Sequence, residues 1–202
     1  MYLGCPCLSK KIIVGVSGAS GIAYAVKLLE VLCRLYKEGV VEQVVLVYTS
    51  MADEVSRYEV GESICVLASR LGCIGSLYGD RDWFSPLASS TNVVGYDMVI
   101  IPCSMDLVAR LAHGVQERLI ERIAYNVLRM DGRLVIVPRE TPLSTTDLEN
   151  LLKLSKQGVV VLPASPGFYA KPRTIDDLLL FICGKILDVL GIKHSLDTRW
   201  SP

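Results

Sequence analysis

The run Ile12-Ile13-Val14-Gly15-Val16 breaks abruptly into Ser17-Gly18-Ala19-Ser20-Gly21, after which Ile22, Ala23, Val26, Leu29 and Leu32 recur at steps of three and four. An apolar, unalternated β-branched run followed by helical periodicity is a buried strand, a tight turn and a helix start. A chain that begins this way is set for parallel strands joined through helices. Small residues let a ligand come close to the backbone, and a helix start offers unpaired N–H groups and positive dipole potential. The spacing fits neither G-x-G-x-x-G nor the P-loop, which would place a Lys after the last Gly. On the turn alone, a phosphate seat and a turn shaped for helix–sheet packing are equally good readings.

The rest of the chain repeats this grammar. Further strands are expected at 44–49, 98–102, 134–137 and 159–162, and helices at 50–57, 62–71, 106–112, 116–130, 148–156 and 175–190. The helix at 148 takes Thr145, Thr146 or Asp147 as its cap, and Thr174 caps the last helix, with two acids in its first turn. Residues 72–97, with Gly72, Gly75, Gly79, Pro86 and Gly95, read as a long irregular span of the kind that usually carries function. Short apolar strands separated by helices give an α/β fold, a doubly wound, mostly parallel sheet with helices on both faces. Residues 1–10 form a tail and 11–202 a single domain.

Composition narrows the class. Apolar residues are 51% of the chain, yet no apolar run approaches the roughly 18 residues of a membrane helix. The mean hydropathy of +0.41 therefore points to buried parallel strands and leaves room for a large subunit interface. Twenty-one basic residues balance 21 acidic ones, which argues against nucleic acid and anionic membranes as partners. Residues 1–10 lack a basic start and a long apolar core, so no signal peptide is read there and the expected location is cytoplasmic. Of seven Cys none forms a CxxC pair, and only two His are present, so no metal site is expected. Cys5-Pro6-Cys7 is incidental, and most of the other Cys fill small core positions.

In doubly wound sheets ligands bind beyond the carboxyl ends of the strands. There stand Ser17-Gly18-Ala19-Ser20-Gly21, Thr49-Ser50, Pro102-Cys103-Ser104, Pro138-Arg139-Glu140-Thr141-Pro142 and Pro163-Ala164-Ser165-Pro166-Gly167-Phe168-Tyr169. A single hydroxyl at such a place is usually a helix cap. Five strand ends converging on one edge describe a polar, phosphate-sized pocket with an aromatic wall. Arg139 and Glu140 should both face the crevice, the Arg holding a phosphate or a ring carbonyl and the Glu moving a proton. His113 and His194 have no evident partner, which argues against hydrolysis of the triad type.

These residues, in this order, resemble the flavin prenyltransferase family, the UbiX-like flavoproteins. The resemblance runs from about Lys11 to Trp200. It is most specific in VGVSGASG (14–21), DWFSPLASST (82–91), PCSM (102–105), LIERIAYNVLR (119–129), PRETPLS (138–144), LPASPGFYAKP (162–172) and Arg199-Trp200. It implies a Rossmann-like flavoprotein that joins a dimethylallyl group, from dimethylallyl monophosphate, to reduced FMN. The product, prenylated FMN, would serve a UbiD-type decarboxylase, and the chain would assemble as a homo-oligomer, a dodecamer by family likeness. By motif, Gly18, Ala19 and Ser20 would hold the FMN phosphate region. Thr49, Ser50, Ser89, Ser90, Ser104, Met105, Asp106, Leu107 and Arg139 would line the rest of the flavin. Arg122, Arg129, Tyr169, Lys185 and Trp200 would bind the prenyl phosphate, and Glu140, Glu59 and Ser17 would stand at the chemistry. The basic side chains would stabilise the departing phosphate, and no Asp-rich cluster is present to hold a metal on a diphosphate.

The chain departs from the family pattern in two places, and more mildly in carrying Arg129 where a Lys is frequent. Asp106-Leu107 stands where members often carry Lys-Thr, and Ser89-Ser90-Thr91 replaces a Ser-Gly-Ser loop. Two other functions compete. One is a non-catalytic FMN-binding or delivery protein. The other is an FMN-dependent decarboxylase of the phosphopantothenoylcysteine type, whose active-site His and Pro-x-Met-Asn motif have only Pro-Cys-Ser-Met as a counterpart here.

Overall fold

The computed structural model describes residues 10–196. Six strands, β1 (Lys10–Val16), β2 (Val41–Tyr48), β3 (Ile74–Gly79), β4 (Tyr96–Cys103), β5 (Leu134–Pro138) and β6 (Val160–Val161), form one sheet in the order β3-β2-β1-β4-β5-β6. Every pairing is parallel. The helices are α1 (Ile22–Lys37), α2 (Ser50–Val60), α3 (Ile64–Leu71), α4 (Met105–Ala112), α5 (Leu119–Arg129), α6 (Thr145–Lys156) and α7 (Ile175–Leu190).

The strands sort their side chains by parity, as a pleat requires. Ile12, Val14 and Val16 face a core built with α1, α2, α3 and α7. Ile13, Val45, Val47, Met98 and Ile100 face a second core built with α4, α5 and α6. Both faces of β1 and β4 are therefore buried, which explains their unalternated sequence. The chain leaves β1 toward β2 and β3 on one side and reaches β4, β5 and β6 on the other. The order of strands thus reverses between β1 and β4, and the crevice at a doubly wound sheet's switch point opens there.

Several expectations are corrected. Residues 72–97 are not irregular throughout, because β3 pairs with β2 as the sheet's edge strand. Its sequence, IGSLYG, carries two glycines and is buried only in part, so it lacks the apolar signal of a central strand. The α6 cap is Ser144, whose hydroxyl accepts from Asp147 N at 3.2 Å while the Asp147 carboxylate accepts in return from Ser144 N. Cys103 and Cys183 are buried core residues as expected, but Cys65 is exposed. Cys33 on α1 and Cys73 before β3 form a disulfide, with Cα atoms 5.5 Å apart. Spacing in sequence could not pair two cysteines 40 residues apart. No helix among the described residues is long and apolar enough to cross a membrane.

The disulfide ties the edge strand's lead-in to the principal helix of one layer. In the chain-entropy account, closing a loop of this length restricts the unfolded chain by about 4 kcal/mol. Reduction, or the double substitution Cys33→Ser and Cys73→Ser, is expected to lower the midpoint of thermal unfolding by on the order of 10 °C. A scanning-calorimetry trace unmoved by reductant would contradict this role.

Candidate functional site at the carboxyl edge of the sheet

Ser17 follows β1 directly and is 1% exposed. Its hydroxyl donates to Pro102 O at 2.9 Å and accepts from Ser104 N at 2.7 Å. One side chain therefore fastens the ends of β1 and β4 across the switch point. Truncating such a buried hydroxyl strands a donor and an acceptor, at about 1–3 kcal/mol. The sequence placed Ser17 at the chemistry, but here the hydroxyl is held between two backbone groups.

The next turn leads into α1. Gly21 has φ of 107°, a left-handed value that suits glycine, and supplies no side-chain cap. The cap comes from α2: Glu59 Oε2 accepts from Gly21 N and Ile22 N, both at 2.9 Å. The Ser20 hydroxyl also bonds Glu59. Arg139, just past β5, donates from Nε to Ser20 O at 3.0 Å. Burial acts to raise the Glu59 pKa. The bonds from Ser20, Gly21 and Ile22 and the charge of Arg139 outweigh it and hold the carboxyl below its ordinary value of 4.5. A carboxylate is thus seated on the α1 N-terminus, the place where an anion is most favoured. Gly18, two residues past β1, lies against α2, where an added Cβ would sit 2.3 Å from Met51 Cγ. Ala19 is buried, and its N–H turns back to Ser17 O at 2.9 Å.

Beyond β2, Thr49 caps α2 by accepting from Ala52 N at 3.1 Å, and its own N–H reaches Val16 O at 3.0 Å. Ser50 opens the helix and is exposed. Beyond β4, Ser104 caps α4 by accepting from Leu107 N at 3.3 Å. Met105 and Asp106 lie in the first turn, whose N–H groups the helix itself cannot pair. Leu107 is fully buried among α4 and α5 side chains and offers a ligand no surface. Thr49 and Ser50 line a cleft of about 370 Å³ together with Asp80 and Arg118.

The remaining predicted residues are more dispersed. Glu140 is exposed, and its carboxylate accepts from Thr141 N at 3.0 Å, so of the Arg139–Glu140 pair only the Arg reaches the β1–α1 turn. Ser89 lies between two short 3₁₀ turns and Ser90 opens the second, and Ser89 Oγ is 3.1 Å from Thr91 Oγ1. This segment is fastened to α5, where Arg122 Nε donates to Ala88 O at 3.1 Å and Asn126 Nδ2 to Ala88 O at 3.0 Å. Tyr169 packs edge-on against Phe181, with ring centroids 5.4 Å apart. The Lys185 ammonium lies 5.2 Å from the Phe181 centroid and 6.0 Å from that of Tyr169.

Arg129 is far from this group. The start of α5 is bonded near the carboxyl edge, Leu119 N to Asp80 O at 2.8 Å, and the segment after it is bonded at the opposite edge, Arg133 N to Asp97 Oδ1 at 2.8 Å. The helix rises roughly 16 Å between those ends, so Arg129, its last residue, stands toward the amino edge. Trp200 lies outside the described residues. Sequence reasoning missed three groups here: Arg118, the buried Asp80, and Asn126. Asn126 left a readable signal, a polar residue on the otherwise apolar stripe of Ile123, Ala124 and Val127.

A flavoprotein family model matches residues 7–187. The flavin prenyltransferase UbiX of Thermoplasma acidophilum is 42% identical over 190 residues, spanning 94% of this chain and 99% of the relative. The chain belongs to the flavin prenyltransferase family. A solved family structure from Escherichia coli O157:H7, described as a dodecameric FMN-dependent UbiX-like decarboxylase, superposes with a TM-score of 0.87 at 34% identity, over 95% of this chain and 100% of that one. AnUbiX (PadA1), solved with FMN and dimethylallyl pyrophosphate, superposes with a TM-score of 0.86 at 29% identity, over 96% of this chain and 98% of that one.

Because Glu59 has a depressed pKa when folded, its ionised form adds stability above the unfolded value. That stability is lost as pH falls through the folded pKa. Wild type is expected to be more stable than Glu59→Gln at pH 7, and the gap should close as unfolding is followed below pH 4.5. A gap that persists unchanged at pH 3 would contradict the seating of Glu59.

Proposed function

We propose that this chain joins a dimethylallyl group, from dimethylallyl monophosphate, to reduced FMN, giving prenylated FMN for a UbiD-type decarboxylase in the cytoplasm. The observation that carries the reading is the convergence of Glu59, Ser20 and Arg139 on the β1–α1 turn at the switch point, in a flavin prenyltransferase fold. The residues fit a flavin phosphate on their donor chemistry. The α1 N-terminus already holds an oxyanion, and the first turn of α4 leaves backbone donors open.

Reduced FMN, when bound, supplies the electron pairs for two new carbon bonds to the prenyl group. The protein's part is electrostatic and protic. Breaking the allylic C–O bond puts negative charge on the departing phosphate, which Arg139 and Lys185 would stabilise. The rings of Tyr169 and Phe181 that flank Lys185 would tolerate positive charge on the allyl group. The first bond frees a flavin N–H proton, which the departing phosphate would accept; closing the second requires the remaining prenyl double bond to gain a proton as the flavin ring carbon loses one, a transfer that Glu140 or the phosphate would carry. Glu59, ionised at neutral pH, would hold Ser20 and the α1 N-terminus until the flavin phosphate takes its place, and would then lie free beside the chemistry. Arg122 and Arg129 would then act from a neighbouring copy, since Arg129 cannot approach Arg139 within one chain. Phe84, fully exposed, and Phe168, 73% exposed, give the apolar surface that such a homo-oligomer would bury.

A His-dependent decarboxylase is not favoured. His113 follows the C-terminus of α4, remote from the edge where that helix begins, and His194 is bonded to Asp188 at 3.3 Å behind α7.

The test is a mass spectrum of flavin extracted after anaerobic incubation with reduced FMN and dimethylallyl monophosphate. A gain of one five-carbon unit is expected. Glu140→Gln should lower turnover by about 10²–10⁴-fold while FMN binding is retained. FMN recovered unchanged from wild type would instead support a flavin carrier.

A further inference from the structure

We propose that Gln116 and Asn126 are positioning residues that hold Arg122 and Arg129 through uncharged oxygens, keeping both guanidinium charges unneutralised for the phosphate of the prenyl donor. The proposal rests on the prenyltransferase reading, in which these two arginines meet that phosphate.

Arg57, Arg70, Arg110 and Arg118 each meet a carboxylate at 3.3 Å or closer. Arg122 does not. Its Nε donates to Ala88 O at 3.1 Å and its Nη1 to Gln116 Oε1 at 3.2 Å, and its Nη2 has no partner among the described residues. The two acids that precede it are engaged elsewhere, because Glu117 and the wholly buried Glu121 both bond Arg110. Arg129 stands two helical turns further along the same face of α5. Its Nη1 donates to Asn126 Oδ1 at 3.0 Å, and its guanidinium lies 5.6 Å from the centroid of the Tyr125 ring. Again neither partner carries a charge. A neutral oxygen orients a guanidinium without cancelling it, whereas a carboxylate does both. Cations fixed in advance and left uncompensated are what stabilises charge appearing on a departing phosphate.

Asn126 joins the two arginines into one unit. It is wholly buried, and its Nδ2 donates to Leu87 O at 3.2 Å and to Ala88 O at 3.0 Å, the carbonyl that Arg122 also holds. A buried amide is tolerated when its polar atoms are all bonded, and here they are. Those bonds also fix the backbone just ahead of Ser89 and Ser90. Ser90 stands where the family resemblance places glycine, yet among the described residues the non-glycine positions with positive φ are Asp131 and Lys171. The segment therefore keeps ordinary backbone angles, and its place is set by Asn126 and Arg122.

The experiment measures prenylation of reduced FMN against dimethylallyl monophosphate concentration for wild type, Gln116→Glu, Gln116→Leu and Asn126→Leu. FMN affinity and thermal unfolding are followed on the same samples. Gln116→Glu gives Arg122 a stronger acceptor and a neutralising charge. It is expected to keep or raise the unfolding midpoint, leave FMN affinity unchanged, and raise KM for the prenyl donor about ten- to a hundredfold. Gln116→Leu removes the acceptor but leaves the charge, and is expected to raise KM only several-fold. A merely structural role predicts the reverse order, with Leu harmful and Glu harmless. Asn126→Leu is expected to lower the midpoint and to raise KM through both arginines; should it fail to fold, the two Gln116 variants decide. A wild-type KM in Gln116→Glu, or the reverse order of the two Gln116 variants, overturns the proposal and leaves the proposed activity standing. Wild type that does not prenylate FMN overturns the activity, and the proposal with it.

Discussion

The hydroxyl of Ser17 holds together the part of the sheet on which the rest depends. It sits where the strand order reverses, and the crevice exists only while β1 and β4 keep a fixed separation beyond their last paired residues. One buried side chain sets that separation by bonding both a carbonyl and an N–H of the neighbouring strand end. The N–H of Thr49 does the same for β2 by reaching Val16 O. Three strand ends are thereby locked through backbone groups. The helices α1, α2 and α4 then start from fixed points with their N-termini gathered at one edge.

That gathering creates an electrostatic problem. Helix N-termini crowded on one edge concentrate positive potential, and in the free protein some anion must answer it. The chain answers with its own carboxylates. Glu59 crosses from α2 to the start of α1, and Asp106 stands in the first turn of α4 beside Arg118. Each carboxylate marks a place fit for a phosphate and is itself the competitor that a phosphate must displace. The Asp106 departure from the family pattern thus does not leave a bare negative charge at the start of α4, because Arg118 pairs with it at 3.3 Å.

The fold was largely legible because its cues were local. Buried strands without alternation, caps such as Thr174, and the small-residue turn after β1 each carry their physics within a few residues; the predicted last helix, 175–190, agrees with α7. The missed features depend on distant partners. The edge strand β3 is only partly buried and looks like a turn until β2 lies beside it. The Cys33–Cys73 bridge needs α1 and β3 in place. Within the site, Arg139 was legible from its position after a strand. That Ser20, rather than Ser17, would touch Glu59 was not, because the two serines differ only in which neighbour the fold brings to each. Asp80 and Arg118 come together only when the ends of β3 and α5 meet.

The most direct test is a crystal structure of the protein with FMN. The account predicts a flavin lying across the carboxyl ends of β1 and β4, with Arg139 against it and its phosphate on the N-terminal turn of α1 or α4 in place of a resident carboxylate. A flavin seated elsewhere, such as the cleft of about 260 Å³ that Phe181 lines beside α7, with Glu59 and Asp106 undisturbed, would contradict it.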